Sequence, residues 1–301
     1  MKSFLYLVKR NIKVFFTDKG MLFTSMITPV ILLVLYGTFL AQVYKDSFAL
    51  SMKGFGFTLD ETLTNAVVSG EIVSSLLAVC CVTVSFCSNT LMAEDKVRKI
   101  IDDFLVSPVK KWVLQLSYFF STWLSTLIVN FLAFGACLIY VAITGWFLSV
   151  SDIFLLLSDI LLLSAFGSAF SSAINFFLTS QGQISCVGTI VSAGYGFVCG
   201  AYMPLASLSE GLRNVFMFLP GTYGTSLFRN HALRGALSEL QEKHNLPNDA
   251  IDKIKASMDC NIKFFSYDVP LWSMYLALSI GIVLFLAIYI SFSMLKKKKR
   301  N

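Results

Sequence analysis

Six apolar runs, each about twenty residues or longer, constrain this chain more than any other feature. A helix needs about 20 apolar residues to cross the hydrocarbon core. In lipid, only helices and closed barrels satisfy every backbone polar group. The runs lie at 21–43, 68–92, 113–145, 153–178, 184–206 and 271–295. Charged residues make up only 14% of the 301, against roughly 25% in soluble domains. The sequence therefore predicts an all-α integral membrane protein with six transmembrane helices in a single domain, 1–301. The third run is long enough to tilt or to protrude. The first follows a basic stretch but is too long for a signal peptide and is not followed by a convincing small-residue cleavage site, so it reads as a retained span.

Lys and Arg are unevenly divided between the two sides that these runs define. Residues 1–20 carry five (Lys2, Lys9, Arg10, Lys13, Lys19), and the loop after the second run carries five (Lys96, Arg98, Lys99, Lys110, Lys111). The tail adds five more, Lys296 to Lys299 and Arg300. The opposite side holds nine, seven of them in one long segment before the sixth run. Short basic loops face the cytoplasm and long segments weigh little, so both termini are expected there. An even number of spans requires the same. Trp112, Trp146 and Trp272 fall at span ends, where aromatic anchors belong. The basic tail is most simply a topology anchor to anionic lipid.

Three further elements stand out between the spans. In residues 1–18, Leu5, Val8, Ile12 and Phe15 recur at helical spacing, as in a helix lying in the inner headgroup layer. Residues 94–111 form a charged cytoplasmic loop after the second span. Its Val97, Ile100, Ile101, Phe104 and Leu105 make an apolar stripe at helical spacing, flanked by Glu94, Lys96, Arg98, Asp102 and Asp103 and ended by Pro108. It reads as a coupling helix, with a plain solvated loop as the alternative. Residues 207–270 are too long for a simple turn. Ser209–Leu219, a break at Pro220-Gly221 and a second helix from Thr222 toward Gln241 predict an outer re-entrant hairpin. A small helix capped by Asn248, with Ile251 and Ile254 on one face, is expected to follow. This segment has seven basic and seven acidic residues, which argues against a nucleic-acid surface.

Few side chains suggest chemistry. Six of the seven cysteines lie in apolar runs and none has zinc-site spacing,. His231 and His244 read as surface residues of the outer segment. No catalytic constellation is present, so no metal is expected. Glu71 and Asp159 lie near span ends and fit an outer interface; intramembrane charge is the functional alternative. Asn89, Asn130 and Asn175 lie deeper, facing either a substrate path or neighbouring helices. Tyr195, Phe197 and Tyr202, on the glycine-bearing fifth span, are candidates for a narrow apolar gate. The uncharged linker Thr179–Gln183 is a tight turn or a minor second cytoplasmic contact.

The arrangement resembles the permease subunit of an ABC-2 type exporter, a drug- or antibiotic-resistance permease of the type V class. The likeness rests on Glu94-Asp95 running to Leu105-Val106-Ser107-Pro108 after the second span. It rests also on Gly188, Gly194, Gly196, Gly200 and Pro204 in the fifth, and on Leu219-Pro220 and Leu227-Phe228-Arg229 in the outer hairpin. One position departs from the pattern: Lys99 stands where such permeases often have glycine, which suggests a more continuous helix there. The chain has no Gly-Lys dipeptide and so no Walker phosphate loop,. The resemblance implies a separate ATPase subunit in two copies, which binds ATP and Mg, and a second permease copy, identical or homologous. It implies export of an amphipathic drug, antibiotic, peptide or lipid across a bacterial cell membrane, with the charged loop seated in the ATPase. A polysaccharide or teichoic-acid exporter is the alternative within the family. An ion-coupled secondary transporter is disfavoured by the lack of repeats and of charges deep in the spans.

Overall fold

The computed structural model describes residues 2–42, 44–46, 48, 60–106, 109–265 and 267–295, with the side chains of Leu40, Leu105 and Ala206 excepted. Lys53, Ser107, Pro108 and the basic tail Lys296–Arg300 lie outside the described residues.

The chain is helical almost throughout. α1 (Lys2–Thr17) leads through Asp18 into α2 (Lys19–Leu35), whose first turn Asp18 caps by accepting from the Met21 N–H at 3.1 Å. A π turn, Tyr36–Leu40, continues α2. Then come α3 (Glu61–Val97), α4 (Ile100–Val106), α5 (Lys111–Thr144), α6 (Val150–Asn175) and α7 (Gln181–Val198). The segment 207–270 contains α8 (Glu210–Phe216), α9 (Pro220–Ala232), α10 (Arg234–His244), α11 (Asn248–Ser257) and a two-stranded antiparallel ribbon, β1 (Lys263–Phe264) with β2 (Tyr267–Asp268). α12 (Leu271–Leu295) closes the described chain.

α3 organises the bundle. Its 37 residues span ~55 Å at 1.5 Å per residue, well beyond a hydrocarbon core. It is apolar and buried all round through its middle, as a central helix must be, and α2, α5, α6, α7 and α9 pack about it. Small residues bring α6 close: a Cβ on Gly167 would lie 2.7 Å from the Cys81 carbonyl. Ser85 Oγ lies 3.3 Å from Ser168 Oγ across the same contact. This is the small-residue packing that holds helices together where no hydrophobic force separates them from lipid.

Among the described residues, five helices are long and apolar enough to cross a membrane: α2 with its π turn, α3, α5, α6 and α12. The expected fifth span, 184–206, is different. α7 starts earlier, at Gln181, and ends at Val198, where Gly200 adopts φ +76° and turns the chain out of the helix. A single 3₁₀ turn, Leu205–Ser207, follows Pro204.

The helices of 207–270 also depart from expectation. Pro220 starts α9 rather than breaking a helix, as suits a residue with no N–H to lose in the first turn,. The expected helix to Gln241 is divided at Leu233 into α9 and α10. Asn248 is the first residue of α11, not its cap, and accepts from Gln241 at 2.8 Å. Ile251 and Ile254 are buried as expected. With Leu233, Leu237 and Leu240 they form a second core around the N-terminal end of α3, at Leu63, Ala66 and Val67. Lys243 bonds Asp60, the α3 cap, at 2.8 Å and holds its carboxyl below the usual range.

Candidate functional site

The end of the bundle that carries α4 is built on one buried carboxylate. Asp95, in the last turns of α3, is 3% exposed. The Arg10 guanidinium of α1 embraces it, with Nη2 donating to Oδ1 at 3.2 Å and Nη1 to Oδ2. Tyr118 of α5 donates its hydroxyl to Oδ2 at 2.6 Å. The same Arg10 lies 5.5 Å from the centre of the Phe104 ring on α4, within cation–π range. One side chain thus joins α1, α3 and α4.

α4 is a separate helix because the chain turns at Lys99, whose φ is +61°. The helix is therefore broken, not continuous, at the position where a glycine was the expected residue. Left-handed backbone is unfavourable for a side chain bearing a Cβ, so the surrounding contacts hold the turn. The apolar stripe of α4 divides. Ile101 and Phe104 pack inward on the cluster of Leu7, Met92, Leu114, Tyr118, Ala173 and Tyr289, with Val109 beside them. Ile100 is half-buried, while Asp102, Asp103 and Val106 are exposed and Val97 borders on exposure. Lys96 is spent within the chain: its ammonium donates to the carbonyls of Phe176 and Leu178 (2.7 Å for the latter), closing the end of α6. Arg98 pairs with Glu94 at 3.4 Å.

Beside this end a cleft of about 780 Å³ opens between α2, α3 and α7. Met21, Phe86 and Ile184 supply apolar wall, and Thr24, Thr90, Ser185, Thr189 and Ser192 supply hydroxyls. Asp18, Glu94 and Arg98 also line it. Of the three asparagines expected along a path, Asn175 lines the cleft. Asn89 is tied inside the bundle, donating to Thr122 and Ser172 at 3.0 Å and accepting from Asn175 at 3.1 Å. Asn130 donates to Ser164 at 3.0 Å. These bonds join α3, α5 and α6, the interhelical use of Asn that was the alternative.

The aromatics gather at the far end of α7. Phe197 is half exposed and meets Tyr202 edge-to-face at 5.0 Å. Tyr195 points at α9, where a Cβ on Gly221 would lie 2.2 Å from its hydroxyl. Just beyond sits a second ionic cluster that sequence reasoning missed. Arg229 is fully buried, donating to Asp259 at 2.9 Å and to the Gly200 carbonyl at 2.8 Å. Tyr36 and Tyr44 donate to the Ala201 carbonyl at 3.1 and 3.3 Å. The carbonyls freed by the end of α7 thus find donors, as buried backbone must.

Glu71 and Asp159 do not sit at an exposed interface. Both are buried in protein, Glu71 at 5% exposure. His231 is not a surface residue either: its Nδ1 lies 2.5 Å from Asp159, and Tyr275 donates to the same carboxyl at 2.9 Å. The sequence signal for these clusters was present only as isolated polar residues near long apolar runs. Among the described residues no cluster of His, Cys, Asp and Glu could hold a metal ion.

No curated protein matches the chain. The family model described as ABC-2 family transporter protein matches residues 56–293, from just before α3 to near the end of α12. The membrane permeases of this family carry no nucleotide-binding domain and work with ABC ATPase subunits. The chain, a multi-pass helical membrane protein, belongs to the ABC-2 transporter permease family.

Proposed function

We propose that this permease exports an amphipathic substrate, with α4 as the coupling helix and the cleft between α2, α3 and α7 as the inner vestibule. The observation that carries the reading is that Glu94 and Arg98 belong to both: they stand on the α3 end that leads into α4, and they line the cleft. A push on α4 therefore reaches the wall of the vestibule across the single turn at Lys99. In this reading α7 is the sixth crossing element, completed by the non-helical stretch through Pro204, and both termini lie in the cytoplasm. α1 lies along the inner headgroups with Leu5 and Tyr6 outward, both well exposed. Leu7, Val8, Asn11 and Phe15 form its buried face, so Leu5 is not on that face as the spacing suggested.

Two permease copies and two ATPase copies form the working unit, and ATP and Mg bind on the ATPase. The exposed residues Asp102, Asp103 and Val106 make the contact, while Ile101 and Phe104 position the helix. Closure of the ATPase pair then tilts α3 and, through the cleft, α2 and α7. The mixed apolar and hydroxyl lining supports a drug, antibiotic, peptide or lipid. The testing experiment is purification in mild detergent followed by transport and ATPase assays. Co-elution of one ATPase per permease, with ATP hydrolysis stimulated by substrate, supports the reading. Transport by the permease alone down an ion gradient would replace it with a secondary transporter.

A further inference from the structure

We propose that Arg229 is a two-position latch on the end of the bundle opposite α4: it holds Asp259 and the end of α7 while that end is shut, and moves to Glu71 when it opens. The inference rests on the export reading, which requires that end to open, and it assigns the residues that do so.

The geometry points to two sites for one guanidinium. Arg229 occupies the first, with Nη1 on Asp259 and Nη2 on the Gly200 carbonyl. Nη2 also lies 3.5 Å from Ser75 Oγ on α3. Glu71 is four residues before Ser75, on the same face of that helix. Both Glu71 Oε1 and Arg229 Nε are buried without a hydrogen-bond partner. Glu71 Oε1 and Arg229 Nε are complementary, and each unmade bond is costly in low dielectric, so a guanidinium that turned to Glu71 would satisfy both,.

The exchange is closely balanced. Two carboxylates face one cation, and an uncompensated buried charge is strongly unfavourable. Asp259 tolerates the loss better than an isolated acid would, since it keeps the Leu205 N–H, bonded at 2.6 Å. When Arg229 turns to Glu71, the Gly200 carbonyl loses its donor. The Ala201 carbonyl keeps Tyr36 and Tyr44. The chain at Gly200, already left-handed at φ +76°, is then free to swing about Ala201. The latch thus releases the end of α7 while leaving its pivot in place.

Cys199, buried and next to Gly200, is a built-in reporter. The test uses the full chain in native membranes, with Cys199 and the buried reference Cys137 kept and the other five cysteines replaced by serine. A membrane-impermeant maleimide is added from outside, and Cys199 labelling relative to Cys137 is read by mass spectrometry. Asp259→Asn removes the first site and is expected to speed relative labelling about tenfold, the population shift that ~1.4 kcal/mol produces. Adding Glu71→Gln removes the second site and returns the rate toward the parent value. Glu71→Gln alone abolishes any rise in labelling during ATP turnover. The proposal is overturned if Asp259→Asn labels like the parent, or if the double variant labels as fast as Asp259→Asn. A parent protein insensitive to nucleotide would instead count against the export reading, since the comparison of Asp259→Asn with the double variant needs no ATP.

Discussion

Arg10 and Asp95, 85 residues apart in sequence, close α1 onto the end of α3 by a forked ion pair whose carboxylate is buried and whose guanidinium is about one-third exposed. Removing one partner of a buried pair is far more damaging than the net worth of the pair, because the other charge stays behind. Arg10→Ala should destabilise the permease by about 2 kcal/mol, less than the ~3–5 of a fully buried pair because Arg10 is partly in water. In Arg10→Ala/Asp95→Asn much of that loss should return. Thermal unfolding in detergent of the two single variants and the double variant measures the coupling.

Lys99 keeps α3 and α4 apart through a left-handed backbone. Lys99→Gly relieves the Cβ conflict there and should leave stability unchanged or raise it by up to ~1 kcal/mol, the gain offset by glycine's greater freedom when unfolded. Lys99→Val places a β-branched side chain in that conformation and should lower the melting temperature. If valine were tolerated as well as glycine, the turn would not have this geometry.

Gly167 and Gly135 form a matched pair. A side chain at Gly167 would strike the α3 backbone, whereas a Cβ at Gly135 meets nothing within 4 Å. Gly167→Leu should cost ~1–3 kcal/mol or more from overpacking and lower the yield of folded protein. Gly135→Ala should have no such effect. Size-exclusion profiles and melting temperatures of the two variants separate a tight α3–α6 contact from a loose one.

Lys96 and Asp102 separate holding the fold from the proposed ATPase contact. The Lys96 ammonium satisfies two carbonyls beyond the end of α6, and hydrogen bonds to charged groups are worth about 1.5–3 kcal/mol. Lys96→Met should lower stability by about that much. Asp102 is exposed, so Asp102→Lys should leave melting unchanged and disconnect ATP hydrolysis from transport.

Much of this architecture was legible from the chain because long apolar runs allow little besides membrane helices. Five of the six runs became helices long enough to cross. The fifth run, 184–206, holds a shorter helix, Gln181–Val198, because composition does not reveal a turn in the backbone. Gly200, Pro204 and the intervening Ala201, Tyr202 and Met203 are apolar enough to extend a span, yet Gly200 ends the helix. A short helix after the second span was expected and α4 is there, but the stripe Val97–Leu105 looked like one face. The structure uses Ile101 and Phe104 inward, a choice set by α1 and α5 that periodicity cannot contain. The ion pairs Arg10–Asp95 and Arg229–Asp259 and the hydrogen bond between His231 and Asp159 were illegible for the same reason. Each joins residues distant in sequence, and a charge near a span looks the same whether it faces water or a buried partner.

The proposed function requires α4 to be the contact through which a separate ATPase drives this permease. The most direct measurement places a photo-crosslinking residue at Asp102, with another at exposed Trp272 as the opposite-face control, in membranes containing the assembled transporter. Crosslinking to the ATPase from position 102 alone, strengthened or weakened by nucleotide, is the predicted result. No ATPase adduct from position 102, or labelling of that position by a membrane-impermeant reagent from outside the cell, would contradict it.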